Sequence, residues 1–289
     1  MKQINLSIVN KKFLQSYLDS IDIDKIKKTL FESKYKKITD KLELLIKADL
    51  YIIKDKLNLI DRYSNSELIE IKKAFNYAGH RQKEKFIEHF KKLNIKSCPF
   101  CNNNYVYFYK ETGNKYNTIA TLEHYYPKSK YPHLSLSFFN LIPSCNTCNS
   151  KFKGNKAHEG NILHPYYEDF NEKADFSVSI DSLPIHKDIK LEINLKSTDE
   201  RCNTSINRFQ LDKIYEEHND IAKEIWNKAQ VYNESRIDEL YKNFYKDLGY
   251  SKEDVKNMAF CNYLHKDDIN KRNHSKLTQD ILKQFDIIK

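Results

Sequence analysis

Cys98-Pro-Phe-Cys101 and Cys145-Asn-Thr-Cys148 are two CxxC pairs with 43 residues between them, and nothing else in the sequence restricts the fold as strongly. A CxxC turn puts two thiolates on one side of a metal, and two such turns complete a tetrahedral site. Four soft ligands leave no open position, so the expectation is a structural zinc ion (Zn²⁺). An iron–sulfur centre and unrelated thiols are the alternatives. Cys202 and Cys261 have no partner close in sequence and read as buried small hydrophobes.

The same stretch gathers the chain's punctuation. Five of the six prolines (99, 127, 132, 143, 165) and three of the five glycines (113, 154, 160) fall within residues 98–165. Such residues favour turns, so this segment is expected to be loop-rich while its flanks are free to be helical. Upstream, Ile23, Ile26 and Leu30, then Leu42, Leu45 and Ile46, then Leu68, Ile71 and Phe75, then Phe86 and Phe90 recur at helical spacing. Residues 1–95 therefore read as four or five helices, with Asp24 and Ser66 as N-caps and Gly79 as a helix end. Downstream, Phe176–Ile180 and Ile189–Ile193 alternate with period two, and Pro184 between them suggests a strand pair. The helical period returns from about Ile206, and Ser251-Lys-Glu-Asp254 looks like a capping box.

The predicted class is thus α+β and mostly helical, in three segments. These are a basic helical region (1–97), a zinc-braced core (98–165), and a short strand pair followed by helices (166–289).

Charge bears on the partner. The net charge is +9, but 43 of the 49 basic residues are Lys and only 6 are Arg. Bidentate recognition of phosphates and bases favours Arg, so composition alone argues weakly for nucleic acid. Distribution says more. Residues 1–97 carry 22 basic and 13 acidic side chains and residues 98–165 carry 7 and 3, whereas residues 166–289 carry 20 and 24. Positive potential able to attract a polyanion belongs to the first two-thirds; a solvated Lys-rich helical surface is the plainer reading of the N-terminal block. At 289 residues and 40% hydrophobic content the chain can bury a core. It has no apolar stretch of membrane-spanning length, and its first residues lack a signal peptide's apolar region. A soluble, cytoplasmic protein without a membrane partner is expected, and in that compartment cysteines favour metal ligation over disulfides.

Between the cysteine pairs lie Thr121-Leu-Glu123-His124-Tyr-Tyr-Pro127-Lys128-Ser and Phe139-Asn140-Leu-Ile-Pro-Ser-Cys145-Asn-Thr-Cys148-Asn149-Ser-Lys151-Phe-Lys153-Gly-Asn155. On residues alone, Ile119–Leu122 can form a strand delivering Glu123 and His124 at its end, and Asn140-Leu-Ile-Pro can start the returning strand. Cys145 and Cys148 can then open a helix carrying Asn149. A carboxylate, an amide oxygen and an imidazole so placed could hold one hard cation and activate a water. Over roughly residues 98–165 the chain resembles the HNH endonucleases, through the acid-His-x-x-Pro step, the Asn-Leu about sixteen residues later, and the Cys-x-x-Cys-Asn followed by basic residues and Gly.

The resemblance implies a ββα-metal, treble-clef-like core that hydrolyses DNA phosphodiesters to 5′-phosphate and 3′-hydroxyl products. His124 would be the general base, Glu123 and Asn149 would ligate a catalytic Mg²⁺ or Mn²⁺, and Asn140 would hold the loop that aims His124. Lys128, Lys151 and Lys153 would meet the phosphates. Glu123 stands where Asp is commoner, and the basic residues after Asn149 run one residue longer than the frequent spacing, which leaves open which Lys meets the phosphate. For Asn149 a helix-start cap is the alternative to ligation. His133 and His164 could face the site or simply pack, and Tyr125 and Tyr126 could stack on a base.

The layout of helical start, HNH-like core and helical end also looks similar to the nuclease subunits of Septu-type anti-phage defence systems, which work with an ATPase partner. Trp226, Tyr215 and Tyr232, placed together on a long helix, could dock such a partner or be core. A zinc-braced nucleic-acid-binding or partner-docking module without cleavage, and an RNase, are the competing readings. Nothing in the sequence reads or rejects a 2′-hydroxyl, and no sequence-reading head is recognisable.

Overall fold

The computed structural model describes residues 1–110, 116–154, 160–180 and 191–288. Over those residues the chain is α+β and mostly helical, with its strands paired two by two in antiparallel sheets. No helix among the described residues is long and apolar enough to cross a membrane. Two compact units emerge, one of residues 4–95 and 106–160 and one of residues 1–3, 96–105 and 161–289. Most of the Pro-rich segment thus belongs with the N-terminal helices, a different division from the three sequence segments.

In the unit of residues 4–95 and 106–160 the helices are α1 (Lys11–Asp19), α2 (Ile23–Thr29), α3 (Lys36–Thr39), α4 (Leu42–Lys47), α5 (Leu50–Asp55), α6 (Asn65–Phe75), α7 (Tyr77–His80) and α8 (Glu84–Lys92). They are shorter and more numerous than the periodicity suggested, because single residues between them leave the helical region. Ala48 is extended between α4 and α5, and Asn76 is left-handed between α6 and α7. Two expected caps shift for the same local reasons. Asp22 caps α2, leaving Asp24 in its first turn. Ser64 rather than Ser66 caps α6, because only Ser64 has Glu67 at the third helical position to complete a capping box. Gly79 lies inside α7 rather than ending a helix.

The aromatic side chains of this unit explain why the short helices hold. Tyr17 of α1 meets Phe86 and Phe90 of α8 and Phe138 at ring distances of 5.1 to 5.9 Å, and its hydroxyl donates to the Leu136 carbonyl at 3.0 Å. Fully buried aromatics of this size contribute a few kcal/mol each. They pin the loop 125–140 against α1 and α8. The strands here are β1 (Phe108–Lys110) paired with β2 (Tyr116–Thr118), and β3 (Thr121–His124) paired with β4 (Leu141–Ser144).

In the other unit the strands β5 (Ala174–Ile180) and β6 (Leu191–Ser197) pair antiparallel, with Phe176 opposite Leu195 and Val178 opposite Ile193. The expected pair is present; Ile189 and Pro184, like Gly113 and Asn155 elsewhere, lie outside the described residues. The helices are α9 (Glu200–Phe209), α10 (Leu211–Glu216), α11 (Asn219–Val231), α12 (Glu234–Leu240), α13 (Lys252–Phe260) and α14 (Ser275–Gln284). Ser251 and Asp254 form the capping box of α13 that the sequence indicated.

α14 takes up backbone groups of β5 that β6 does not. Asp280 accepts from the Phe176 N–H at 2.8 Å, and the Gln284 amide accepts from the Val178 N–H at 2.9 Å while donating to the Val178 carbonyl at 2.8 Å. An exposed strand edge is thereby satisfied by side chains.

Two expectations change in this unit. The long helix through Tyr215, Trp226 and Tyr232 is broken at Glu217–His218. Tyr215 is wholly buried, with its ring 4.4 Å from that of Phe176 and its hydroxyl donating to the Cys101 carbonyl at 2.8 Å, and Trp226 packs on Phe285. Cys202 is buried as expected. Cys261 is exposed, because it occupies the left-handed position that ends α13.

Candidate functional site

The two CxxC turns bring their sulfurs together in a way that could hold a metal ion. Cys145 Sγ accepts from the Cys148 N–H at 3.4 Å, and Cys101 Sγ accepts from the Asn103 N–H at 3.5 Å and the Asn104 amide at 4.0 Å. The Sγ atoms of Cys98, Cys101, Cys145 and Cys148 all lie within 4.8 Å of one another, and all four residues are buried. Sulfurs about 2.3 Å from a tetrahedral zinc stand about 3.8 Å apart, so the cluster could hold that ion. No disulfide competes for them.

Beside the second knuckle, β3 and β4 are in register with Glu123 opposite Ile142 and His124 opposite Leu141. The loop between the strands is tied by one side chain. Asn140 accepts from the Tyr126 N–H at 2.7 Å and donates to the carbonyls of Tyr126 at 3.1 Å and Leu134 at 3.0 Å. Its buried amide joins the start of the loop to its last third, which fixes where Ser135 lies.

That position decides the chemistry of His124. Its Nε2 lies 3.1 Å from the Ser135 carbonyl, which can only accept, so Nε2 carries the proton and Nδ1 the lone pair. Burial, and then the charges of Lys128 and Lys153, push the imidazole pKa down to about 3, so the ring is a neutral base at every physiological pH. The Tyr77 ring packs edge-on against it at 4.4 Å, and the Tyr77 hydroxyl donates to the Leu122 carbonyl at 3.3 Å.

Glu123 and Lys153 are the unexpected pair. Their side chains are 1% and 6% exposed and form a direct ion pair, while the Lys153 ammonium also donates to the His124 carbonyl at 2.7 Å. Lys153 ends a π-helical segment (Thr147–Lys153) that packs on β3. The wider helical turn, closed by a bond from the Gly154 N–H to the Asn149 carbonyl at 3.3 Å, brings Lys153 back over the strand.

Of the three lysines expected at phosphates, then, only Lys151 is exposed. Lys128 is half-buried, with its ammonium 4.6 Å from the centre of the Tyr77 ring. Lys153 is turned inward, because a buried carboxylate takes the nearest cation. Asn149 is half-buried on the same segment, and its side chain makes no hydrogen bond among the described residues. One carboxylate and one amide suit a hard cation such as Mg²⁺ or Mn²⁺ in donor chemistry. As folded, however, Glu123 already has a cation in Lys153.

Four other expected side chains serve packing. Tyr125 and Tyr126 are buried core residues and present no face to a base. His164 is buried within its own turn, where its Nδ1 accepts from the Tyr166 N–H at 3.3 Å. His133 points away to donate from Nε2 to the Lys56 carbonyl at 3.1 Å, and its Nδ1 is buried with no hydrogen-bond partner among the described residues.

Burial holds the His133 pKa near 4, below its unfolded value of 6.5. The unfolded chain therefore binds the extra proton first. Stability from this group is complete above about pH 6.5 and is lost as pH falls toward 4, by about 2 kcal/mol at pH 5. Urea midpoints at pH 7 and pH 5 are expected to differ less for His133→Gln than for the parent chain. An unchanged difference would refute the assignment.

Tyr77 and Ser135, which frame His124, carried no signal in the sequence. Tyr77 is separated from His124 by 46 residues, and no local pattern in the sequence joins them. No family model, no curated protein and no solved structure matches this chain.

Proposed function

We propose that the chain is an HNH-type endonuclease that hydrolyses nucleic-acid phosphodiesters, with His124 as general base. The observation that carries this reading is the hydrogen bond from His124 Nε2 to the Ser135 carbonyl, which leaves Nδ1 as a fixed, neutral acceptor at the end of a strand. A base held in one tautomer by a backbone carbonyl can take a proton from an attacking water without first losing one itself.

The remaining roles follow from position. Asn140 holds the loop that supplies the carbonyl, and Tyr77 fixes the plane of the ring. Lys128 and Lys151 are the cations able to meet a phosphate. A divalent ion at Glu123 and Asn149, Mg²⁺ or Mn²⁺, would supply Lewis-acid stabilisation of the phosphate and of the leaving oxygen. The four cysteines would hold zinc beside the hairpin as structural support. DNA is the proposed substrate and RNA the alternative. A part in anti-phage defence beside an ATPase rests on the resemblance in layout.

One observation favours a second reading, a nucleic-acid-binding module without cleavage: the Glu123 carboxylate is engaged by Lys153. Supercoiled plasmid incubated with zinc-loaded protein and Mg²⁺ or Mn²⁺ separates the two. Nicking is expected, abolished by EDTA and reduced about a hundredfold or more by His124→Ala. A folded protein that retains the plasmid in a gel shift and leaves it intact would establish the second reading.

A further inference from the structure

A cleft of about 390 Å³, within the unit of residues 4–95 and 106–160, is lined in part by the two residues that hold His124. Its walls are the last turns of α6, with Ile69, Lys72 and Lys73, and the loop residue Lys128; Tyr77 and Ser135 line it as well. Tyr77 packs on the His124 ring and the Ser135 carbonyl accepts a hydrogen bond from its Nε2–H, so the cleft shares two of its lining residues with the surroundings of the proposed base.

The charges in the cleft are one-sided. Lys72, Lys73 and Lys128 make no ion pair among the described residues, although most lysines along α8, α11 and α13 find a carboxylate. Burial, followed by the charges of Lys72, Arg81 and Lys153, lowers the Lys128 pKa. The one carboxylate acting against this, Glu123, is already engaged by Lys153. Converging cations without counter-charge favour an anion. The wall beside them is apolar, with Ile69 52% exposed at its rim and the Tyr77 ring below Lys128. Cations over an apolar and aromatic floor match one repeating ligand, the sugar–phosphate backbone of a nucleic acid. The volume suits about one nucleotide unit.

We infer that this cleft is the seat of a substrate phosphodiester, with Lys72, Lys73 and Lys128 contacting the backbone and the exposed Ile69 contacting the sugar or base above the buried Tyr77 ring. The inference deepens the nuclease reading and rests on it for the word substrate. The N-terminal helices then form one wall of the binding site rather than a separate appendage.

The test uses the full chain carrying His124→Ala, so that binding is read without cleavage. Fluorescence polarisation with labelled duplex DNA, and separately with single-stranded RNA, each about twenty nucleotides long, gives affinity at several salt concentrations. Lys72→Gln/Lys73→Gln is expected to weaken binding about tenfold or more and to reduce the slope of log K against log salt by about 1 to 2. Lys27→Gln/Lys28→Gln, which removes the same charge from exposed positions at the end of α2, is expected to change affinity less than threefold and to leave the slope nearly unchanged. Equal losses from the two double variants, or no binding of either probe, would overturn the inference. The two readings fail separately. A wild-type chain that cuts plasmid while the Lys72/Lys73 variant binds unchanged refutes the cleft alone. A chain that binds through the cleft and never cuts refutes the nuclease alone. The tighter probe assigns DNA or RNA.

Discussion

Cys145→Ser is expected to release zinc and to lower the melting temperature by more than 10 °C. The four sulfurs lie within 4.8 Å of one another and are buried, so the folded chain brings together what an unfolded chain would have to assemble. Zinc bound to such a set contributes about 10–16 kcal/mol in small metal-folded peptides, a scale larger than the whole stability of most domains. Serine offers a hydroxyl that stays protonated near neutrality, so it replaces a thiolate ligand with a weak neutral one even though its oxygen can still accept from the Cys148 N–H. β4 runs directly into Cys145, so disorder at the knuckle reaches the strand that pairs with Glu123 and His124. The measurements are zinc content per chain and thermal unfolding by circular dichroism. Cys261→Ser, at an exposed position, serves as the control and should change neither. One equivalent of zinc with an unchanged melting temperature in Cys145→Ser would rule out the four-cysteine site.

What the sequence made legible divides along the range of the interactions involved. The CxxC turns, the β3–β4 hairpin and the Ser251 capping box are set by residues a few positions apart or by a turn of known chemistry, and the structure has them. The short helices of the N-terminal region were harder to read, since an apolar period continues through positions such as Ala48 and Asn76 where the backbone leaves the helix. Hardest were pairings that depend on the chain's return. Lys153 meets Glu123 because the segment after Cys148 winds as a π-helix, and an extra residue after Asn149 was all the sequence offered as a sign of it. Tyr77 reaches His124, and the Lys72/Lys73 wall lies in one cleft with Tyr77, through packing of helices whose periodicity marks only their buried faces.

That Glu123–Lys153 pair supports the second large prediction, an asymmetry between two single variants. Both side chains are almost wholly buried, so removing either leaves a charge that water cannot reach and costs about 3–5 kcal/mol. Glu123→Gln leaves the Lys153 ammonium with the His124 carbonyl and a neutral amide. Lys153→Met leaves a buried carboxylate without its cation. Only the second product is a seat for a hard cation. Lys153→Met should therefore recover stability when Mn²⁺ is added, by about 2.7 kcal/mol at a hundredfold excess over Kd, whereas Glu123→Gln should not respond. Glu123→Gln/Lys153→Met should unfold nearer the parent chain than either single variant does, because two neutral side chains of similar size replace the pair. Chemical unfolding with and without Mn²⁺ reads all three, and Mn²⁺ electron paramagnetic resonance reads the binding directly. A Lys153→Met chain that is destabilised yet indifferent to Mn²⁺ would show that Glu123 serves Lys153 alone, and the metal-dependent reading of the site would have to be abandoned.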